Sequence, residues 1–227
     1  MTVACRSAYD ARVAYDQAAG EYDGWFNRPV DQWEDERLAG LLRPLVNGRS
    51  VLDLGCGTGW LADHCSPRAY TGVDCSGPML AELARKHPDA ETVKAQVGAP
   101  GWAEALPFPA LPFAVVTATW SLEYLGGLAD LLHILLQVTG ARPVLALHGS
   151  MPRGHRRRHF SVKAAPYIPL SPPHVRAESR AAGLPPPRCT GTSALPDSWQ
   201  ALGRRGFDTA LRAPAGAHYA ALWTWQL

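Results

Sequence analysis

The sequence predicts an α/β fold, a mostly parallel sheet with helices packed on both faces. Three observations predict it. Strand and helix signals alternate about every 20 residues from residue 50 onward. The runs Ser50–Leu54 and Phe113–Ala118 are continuously apolar or β-branched, as strands covered on both faces are. The first of them stops at a glycine cluster, the mark of a strand turning sharply into a helix.

The elements follow in order. Residues 7–45 carry no strand signal and read as helical pieces, with Pro29 and Pro44 as breakers. Tyr9, Tyr15, Tyr22, Trp25, Phe26 and Trp33 give this stretch an aromatic surface that must pack on something. After the strand Ser50–Leu54, Trp60–Cys65 opens a helix, and Tyr70–Val73 forms a second strand ended by Asp74. Pro78–Lys86 has helical spacing, with proline in its first turn and His87-Pro88 closing it. Thr92–Val97 reads as a third strand, followed by a loop rich in Gly, Pro and Ala through Pro112. Phe113–Ala118 is a central strand, Leu128–Val138 an apolar helix and Val144–His148 another buried strand. Residues 149–173 are basic and contain Pro152, Pro166, Pro169, Pro172 and Pro173. Pro173–Ala182 reads as a helix closed by Gly183, and Pro185-Pro186-Pro187 as a stiff, extended break. Phe207–Leu211 and His218–Trp225, flanking Pro214-Ala215-Gly216, read as a terminal antiparallel hairpin.

Bulk properties narrow the function classes. A length of 227 residues suits one α/β domain and is short for two. Hydrophobic residues make up 47% and charged residues 19%, as in a soluble globular chain. A formal charge of +2 argues against a nucleic-acid partner. Arg153, Arg156, Arg157 and Arg158, with His155 and His159 among them, form a basic cluster that reads as a solvated loop or as a contact for an anionic substrate. The five cysteines (Cys5, Cys56, Cys65, Cys75, Cys189) are odd in number and contain no C-x-x-C pair. That pattern argues against a disulfide framework and a zinc site, so no metal is expected and a reducing, cytoplasmic setting is. The opening residues are interrupted by Arg6, Asp10 and Arg12, unlike a signal peptide, and no apolar run is long enough to span a membrane.

The chemistry is concentrated in Val51-Leu52-Asp53-Leu54-Gly55-Cys56-Gly57-Thr58-Gly59. Glycines let a ligand lie against the turning backbone, and the helix behind the loop offers unpaired N–H groups. Asp74, 19 residues after Gly55, stands at the end of the second strand, where a carboxylate accepts hydrogen bonds from ribose hydroxyls. A phosphate-cradling loop needs G-K-[ST], which is absent, and a dinucleotide loop spaces its third glycine one residue further on. Asp53 would also repel a pyrophosphate. A sulfonium cofactor turns that negative charge from an objection into an electrostatic partner.

VLDLGCGTG followed by TGVDCSGPML resembles the opening motifs of class I S-adenosylmethionine-dependent methyltransferases, particularly the type 11 group that includes ubiquinone/menaquinone C-methyltransferases. AYDQAAGEYDGWFNRP (residues 14–29) resembles that family's N-terminal lid, AEALPFP (103–109) the segment before its central strand, and LSPPHVRAESRAAGL (170–184) its late helix. The resemblance implies a Rossmann-like, mostly parallel seven-stranded sheet ending in a C-terminal antiparallel hairpin. It implies one domain over 1–227, with a lid at 1–46, a cofactor-binding core at 47–150 and an acceptor-side region at 151–227.

By position, Gly55, Cys56, Gly57 and Gly59 would line the methionyl group of S-adenosylmethionine, Asp53 would hold its ammonium and Asp74 its ribose. Cys75 and Met79 would border the adenine, with Trp102 and Ala103 beside it, and Tyr15 and Tyr22 would close from the lid. Thr119 and Trp120 would face the methyl end, Trp120 being either a wall of the acceptor site or a core aromatic. Two positions depart from the pattern. Trp102 stands where the family has an acid for the adenine amino group, so that it stacks instead or Gln96 or Glu104 takes over. The central strand opens Phe113-Ala114 rather than F-D. These departures carry the competing expectation, a degenerate fold serving as a non-catalytic binding or scaffold module. No N-P-P-Y or D-P-P-Y motif follows the central strand, where the chain reads Thr119-Trp120-Ser121-Leu122. A small-molecule acceptor, aromatic or anionic, is therefore expected, with S-adenosylhomocysteine as the spent cofactor. His148 is the candidate general base by location and accessible pKa, ahead of His155, His159 and Tyr167.

Overall fold

The computed structural model describes residues 12–106, 113–122, 125, 127–150, 170–193, 203–212, 218 and 220–227. The basic cluster of Arg153, His155, Arg156, Arg157, Arg158 and His159, together with Tyr167, lies outside these residues, as does Tyr9.

Helix α1 runs through residues 12–18 and is followed by a single 3₁₀ turn, Tyr22–Trp25. Then come α2 (Pro29–Val46), β1 (Ser50–Leu54), α3 (Trp60–His64), β2 (Ala69–Asp74), α4 (Gly77–Lys86), β3 (Glu91–Lys94), a second 3₁₀ turn (Trp102–Ala105) and β4 (Phe113–Ala118). The chain continues through α5 (Leu128–Val138), β5 (Thr139–Ser150), α6 (Pro172–Ala181), β6 (Arg188–Ser193), α7 (Gly203–Ala210) and β7 (Ala220–Gln226). The seven strands form one sheet in the order β3-β2-β1-β4-β5-β7-β6. All neighbouring pairs from β3 to β5 are parallel, whereas β7 is antiparallel to both β5 and β6.

Local chemistry accounts for the helix starts. Pro29 is the first residue of α2, where a missing N–H costs nothing, and Asp31 accepts from the Arg28 N–H at 3.1 Å. Ser76 caps α4 by accepting from the Met79 N–H, and Ser171 caps α6 by accepting from His174. Pro44 does not break its helix as expected. It sits in the last turn of α2, where the residue four back, Gly40, is exposed and its carbonyl can be hydrated.

Strand β1 is buried along its whole length and divides the core in two. Leu52 and Leu54 pack with Leu128, Leu132 and Leu135 of α5 and Val175 of α6. Val51, on the opposite face, packs with Leu38, Leu42 and Val46 of α2, Leu61 of α3 and Leu83 of α4. β3 stops at Lys94 rather than Val97 because its partner runs out, Asp74 pairing with Lys94. The C-terminal antiparallel pair is β6 with β7, not Phe207–Leu211 with β7. Phe207 lies in α7, fully buried and 5.9 Å from the Trp33 ring, while Arg204 and Asp208 pair one turn apart on the outside. Two apolar residues four apart, Phe207 and Leu211, fit one face of a helix as well as they fit a strand.

Candidate functional site

The sheet order reverses between β1 and β4, whose carboxyl ends therefore open a crevice of the kind that holds ligands in doubly wound folds. The loop Gly55–Gly59 lies at its centre, held to β2 by the Gly55 and Cys56 N–H groups donating to the Val73 carbonyl at 2.7 and 3.1 Å. All three loop glycines have positive φ, +66, +53 and +97 at Gly55, Gly57 and Gly59. Their surroundings differ. A Cβ at Gly55 would lie 2.5 Å from Ser121 Cβ, and one at Gly59 2.6 Å from Leu83 Cδ1, so these two glycines admit protein. A Cβ at Gly57 would meet nothing within 4 Å. The open face of the loop is therefore centred on Gly57. The Cys56 side chain is buried beneath, where its Sγ would press on any Cβ at Gly72, so only its backbone belongs to the loop.

Asp74 lies beside this face. Its Oδ2 accepts from the Gly57 N–H at 2.9 Å and its Oδ1 from the Ser76 N–H at 2.8 Å. Burial raises its pKa against the pull of those N–H groups. Asp53 is placed differently from the sequence expectation. It is wholly enclosed, and accepts from Tyr70 Oη and Thr117 Oγ1, each at 2.7 Å. Desolvation raises its pKa to about 6. Its oxygens thus fasten β1 to β2 and β4 beneath the loop and make no contact of their own with the crevice side.

The remaining candidates fall into three groups. Cys75 is half-buried at the end of β2, its thiol pushed up to about 11 by desolvation, and Met79 is buried in the first turn of α4. Trp102 is buried at 4% exposure in the core beside Val97 and Leu106, with its indole Nε1 enclosed and unpartnered, while Ala103 next to it is half-buried. Gln96 and Glu104 are exposed. Ala114 is an ordinary strand residue whose N–H donates to Ser50 Oγ at 3.1 Å. From the N-terminal segment, Tyr15 and Tyr22 meet edge to face at 5.9 Å. This segment is tied to the loop by Asp23, which accepts from Thr58 Oγ1 and from Lys86 Nζ at 2.9 Å.

Beyond β4, Thr119 is buried and Trp120 half-buried. Trp120 has φ +57, the left-handed value that among the described residues no other non-glycine adopts. Its ring stands edge-on to that of His148 at 4.2 Å. His148 is fully buried and shares a hydrogen bond with Thr192 Oγ1 through Nε2 at 2.8 Å. Desolvation depresses its pKa to about 3. Full burial, with Nε2 engaged by Thr192, sets His148 apart from the exposed position its strand-end location suggests for a general base. Among the described residues no cluster of three or more metal-ligating side chains exists.

Sequence reading missed Ser121, Thr58 and Asp23. Ser121 Oγ donates to the Leu54 carbonyl at 2.7 Å and occupies the space that Gly55 vacates. No local signal announces it, because the hydrogen bond spans 67 residues. Asp23 was legible only as part of the lid-like segment AYDQAAGEYDGWFNRP.

Residues 51–139 match the family model described as a methyltransferase domain. A malonyl-[acyl-carrier protein] O-methyltransferase from Erwinia billingiae is 32% identical over 94 residues, which is 40% of this chain and 35% of the relative. The chain therefore spans about a third of that protein's length through the matched segment. Among solved structures, a chain of the Haloferax volcanii complex between a methyltransferase activator and a methyltransferase superposes with a TM-score of 0.67 at 17% identity, covering 94% of this chain and 95% of its own. An S-adenosylmethionine-dependent methyltransferase from Thermotoga maritima gives 0.67 at 16% identity, with 95% and 98% covered. The glycine loop, the acid closing β2 and the sheet order all lie within these likenesses, and the chain accordingly has the class I methyltransferase fold, with a methyltransferase-domain match over residues 51–139.

Proposed function

We propose that this chain transfers a methyl group from S-adenosylmethionine to a small-molecule acceptor by in-line displacement. The observation that carries the reading is the open face over Gly57, the one loop glycine that meets no protein, set beside Asp74 at the carboxyl ends of β1 and β4. The residues present fit such a cofactor. The loop has no lysine for a phosphate, and two carboxylates, Asp53 and Asp74, lie under and beside it, which suits a ligand rich in donors and positive charge. Asp74 keeps lone pairs for ribose hydroxyls after binding Gly57 and Ser76. In this reading Cys75 and Met79 border the adenine, and Tyr15 and Tyr22 cover it.

When bound, the sulfonium supplies an already activated methyl group. The chain's own residues then have two tasks, aligning the acceptor behind that methyl and excluding water. Trp120 and Thr119 belong to the first task, the N-terminal segment pinned by Asp23 to the second. His148, enclosed and bonded to Thr192, is given no proton-transfer role in this reading, and Cys75, with its thiol held protonated, is no nucleophile. The malonyl-[acyl-carrier protein] relative sets a direction for the acceptor search, carboxyl oxygen being one acceptor atom to include beside phenols, amines and thiols. Calorimetry with S-adenosylhomocysteine tests the reading directly. Saturable binding that Gly57→Val abolishes is expected, and no heat from the wild-type protein at high ligand concentration would end it.

A further inference from the structure

Asp53 is a fully enclosed carboxylate two residues before the glycine loop. As a strand fastener it is a costly choice, because an asparagine could accept the same two hydroxyls without a buried charge. Val51 and Asp53 alternate along β1, so the carboxylate lies on the face that α2, α3 and α4 cover. To that face β2 brings Tyr70 and Asp74, β4 brings Thr117 and the loop brings Cys56. Cys65, after α3, also feels its charge, while α2 and α4 contribute Leu38, Leu42 and Leu83.

The charge of Asp53 is not confined to its own cage. Desolvation is the main reason its pKa stands at about 6, and the Asp74 carboxylate adds to the rise through space. The Cys56 thiol, in the loop itself, is pushed up first by desolvation and then by Asp74 and Asp53 together. Asp74 in turn bonds the Gly57 N–H at 2.9 Å, at the loop glycine whose Cβ position is open. Asp53 is thus felt at the open face without touching it. Two ligands that differ there by one charge would be told apart by that field, and poorly screened surroundings sharpen the difference. S-adenosylmethionine and S-adenosylhomocysteine are such a pair, a sulfonium in one standing where the other has an uncharged thioether.

Resting on the methyl-transfer reading, we propose that Asp53 is a specificity residue of the cofactor site, favouring the sulfonium donor over the spent thioether by its charge and not by contact. The preference follows its titration. Below pH about 6 the carboxyl is neutral and the preference is small; above it the group is ionised and the preference is full. Loss of the methyl group would then itself loosen the hold on the spent cofactor.

The test is calorimetry on the whole chain with each of the two ligands, from about pH 5 to about pH 7, where their amino groups stay charged. We expect the wild-type preference for S-adenosylmethionine to grow by about fivefold to twentyfold across that range. In Asp53→Asn it should be small and flat. Tyr70→Phe removes a donor that favours the ionised form, so it should move the rise to higher pH. That second variant decides the matter should Asp53→Asn fail to fold. A wild-type preference that ignores pH overturns the role, as does a Tyr70→Phe profile that coincides with the wild type. A slope that survives in Asp53→Asn also overturns it and gives the effect to Asp74. If neither ligand binds the wild type at any pH, the methyltransferase reading falls as well; if both bind with a constant ratio, only the role of Asp53 falls.

Discussion

Gly55, Gly57 and Gly59 are indistinguishable in a motif and distinct in space, which makes their substitutions separable. Gly55→Ala adds a left-handed alanine and drives its Cβ into Ser121, so a stability loss of about 2–4 kcal/mol is expected. Gly57→Ala incurs only the backbone strain, about 1–2 kcal/mol, but puts a methyl group on the open face of the loop. Thermal melts should therefore penalise Gly55→Ala more, and calorimetric affinity for S-adenosylhomocysteine should penalise Gly57→Ala more; the reverse ranking would show that the open face is not where the ligand lies. Asp53 makes a pH-dependent prediction. Its folded pKa of about 6 lies above the unfolded value of 3.8, so the folded protein binds the extra proton between those pH values. Stability from this group is full below pH about 4 and is lost as pH rises through about 6, by about 3 kcal/mol in all. Asp53→Asn, which keeps partners for Tyr70 and Thr117, should gain on the wild type as pH rises from 4 to 7 in denaturant titrations. A difference that stays flat with pH would mean the carboxylate is not desolvated as its enclosure implies. The acid and the glycines were legible from sequence because the turn imposes them locally. Where Asp53 points was not, since that depends on Tyr70 and Thr117 arriving from neighbouring strands.

At the scale of elements, strands whose signal is local came out as read. Ser50–Leu54 and Phe113–Ala118 have the expected bounds because continuous burial on both faces leaves a continuous apolar run. Elements whose limits are set by partners did not, as β3 shows by ending where β2 ends and α7 by burying Phe207 against Trp33. The same distinction governs the N-terminal segment, which polar contacts from other elements tie to the loop. Asp23 joins Thr58 and Lys86, and Lys86 also reaches Asp63 at 2.6 Å, itself 2.7 Å from His87 Nε2. Asp23 is more than half exposed, so its ion pair is worth at most about 1 kcal/mol. Asp23→Ala should thus leave the melting temperature nearly unchanged while opening residues 12–28 locally, seen as faster amide exchange there and a severalfold faster release of S-adenosylhomocysteine. Unaltered exchange in that segment would show that the aromatic contacts of Tyr15 and Tyr22, and not Asp23, keep it in place.

For the whole molecule, the parallel order was legible in outline from the alternation of elements, but the insertion of β7 between β5 and β6 was not. Antiparallel pairing across Leu147–Trp223 and Cys189–Trp223 is a choice among distant partners that no local pattern records. Across that insertion Thr192 of β6 bonds His148 of β5, whose ring meets Trp120, next in the chain to the Ser121 that bonds the Leu54 carbonyl at the loop. A ligand gripped at the loop should then stabilise the chain as one unit. At one hundred times its dissociation constant, S-adenosylhomocysteine adds about 2.7 kcal/mol to the folded state. At about 2–4 °C per kcal/mol for a domain of this size, Tm should rise by about 5–11 °C in a single transition. Asp74→Ala, which deprives the Gly57 and Ser76 N–H groups of their acceptor, should lose most of that rise. A melt that divides into two steps, with only the earlier strands responding to ligand, would break the proposed coupling between the loop and the β6–β7 pair. The joint through Trp120 and His148 would then be packing alone, whatever the loop binds.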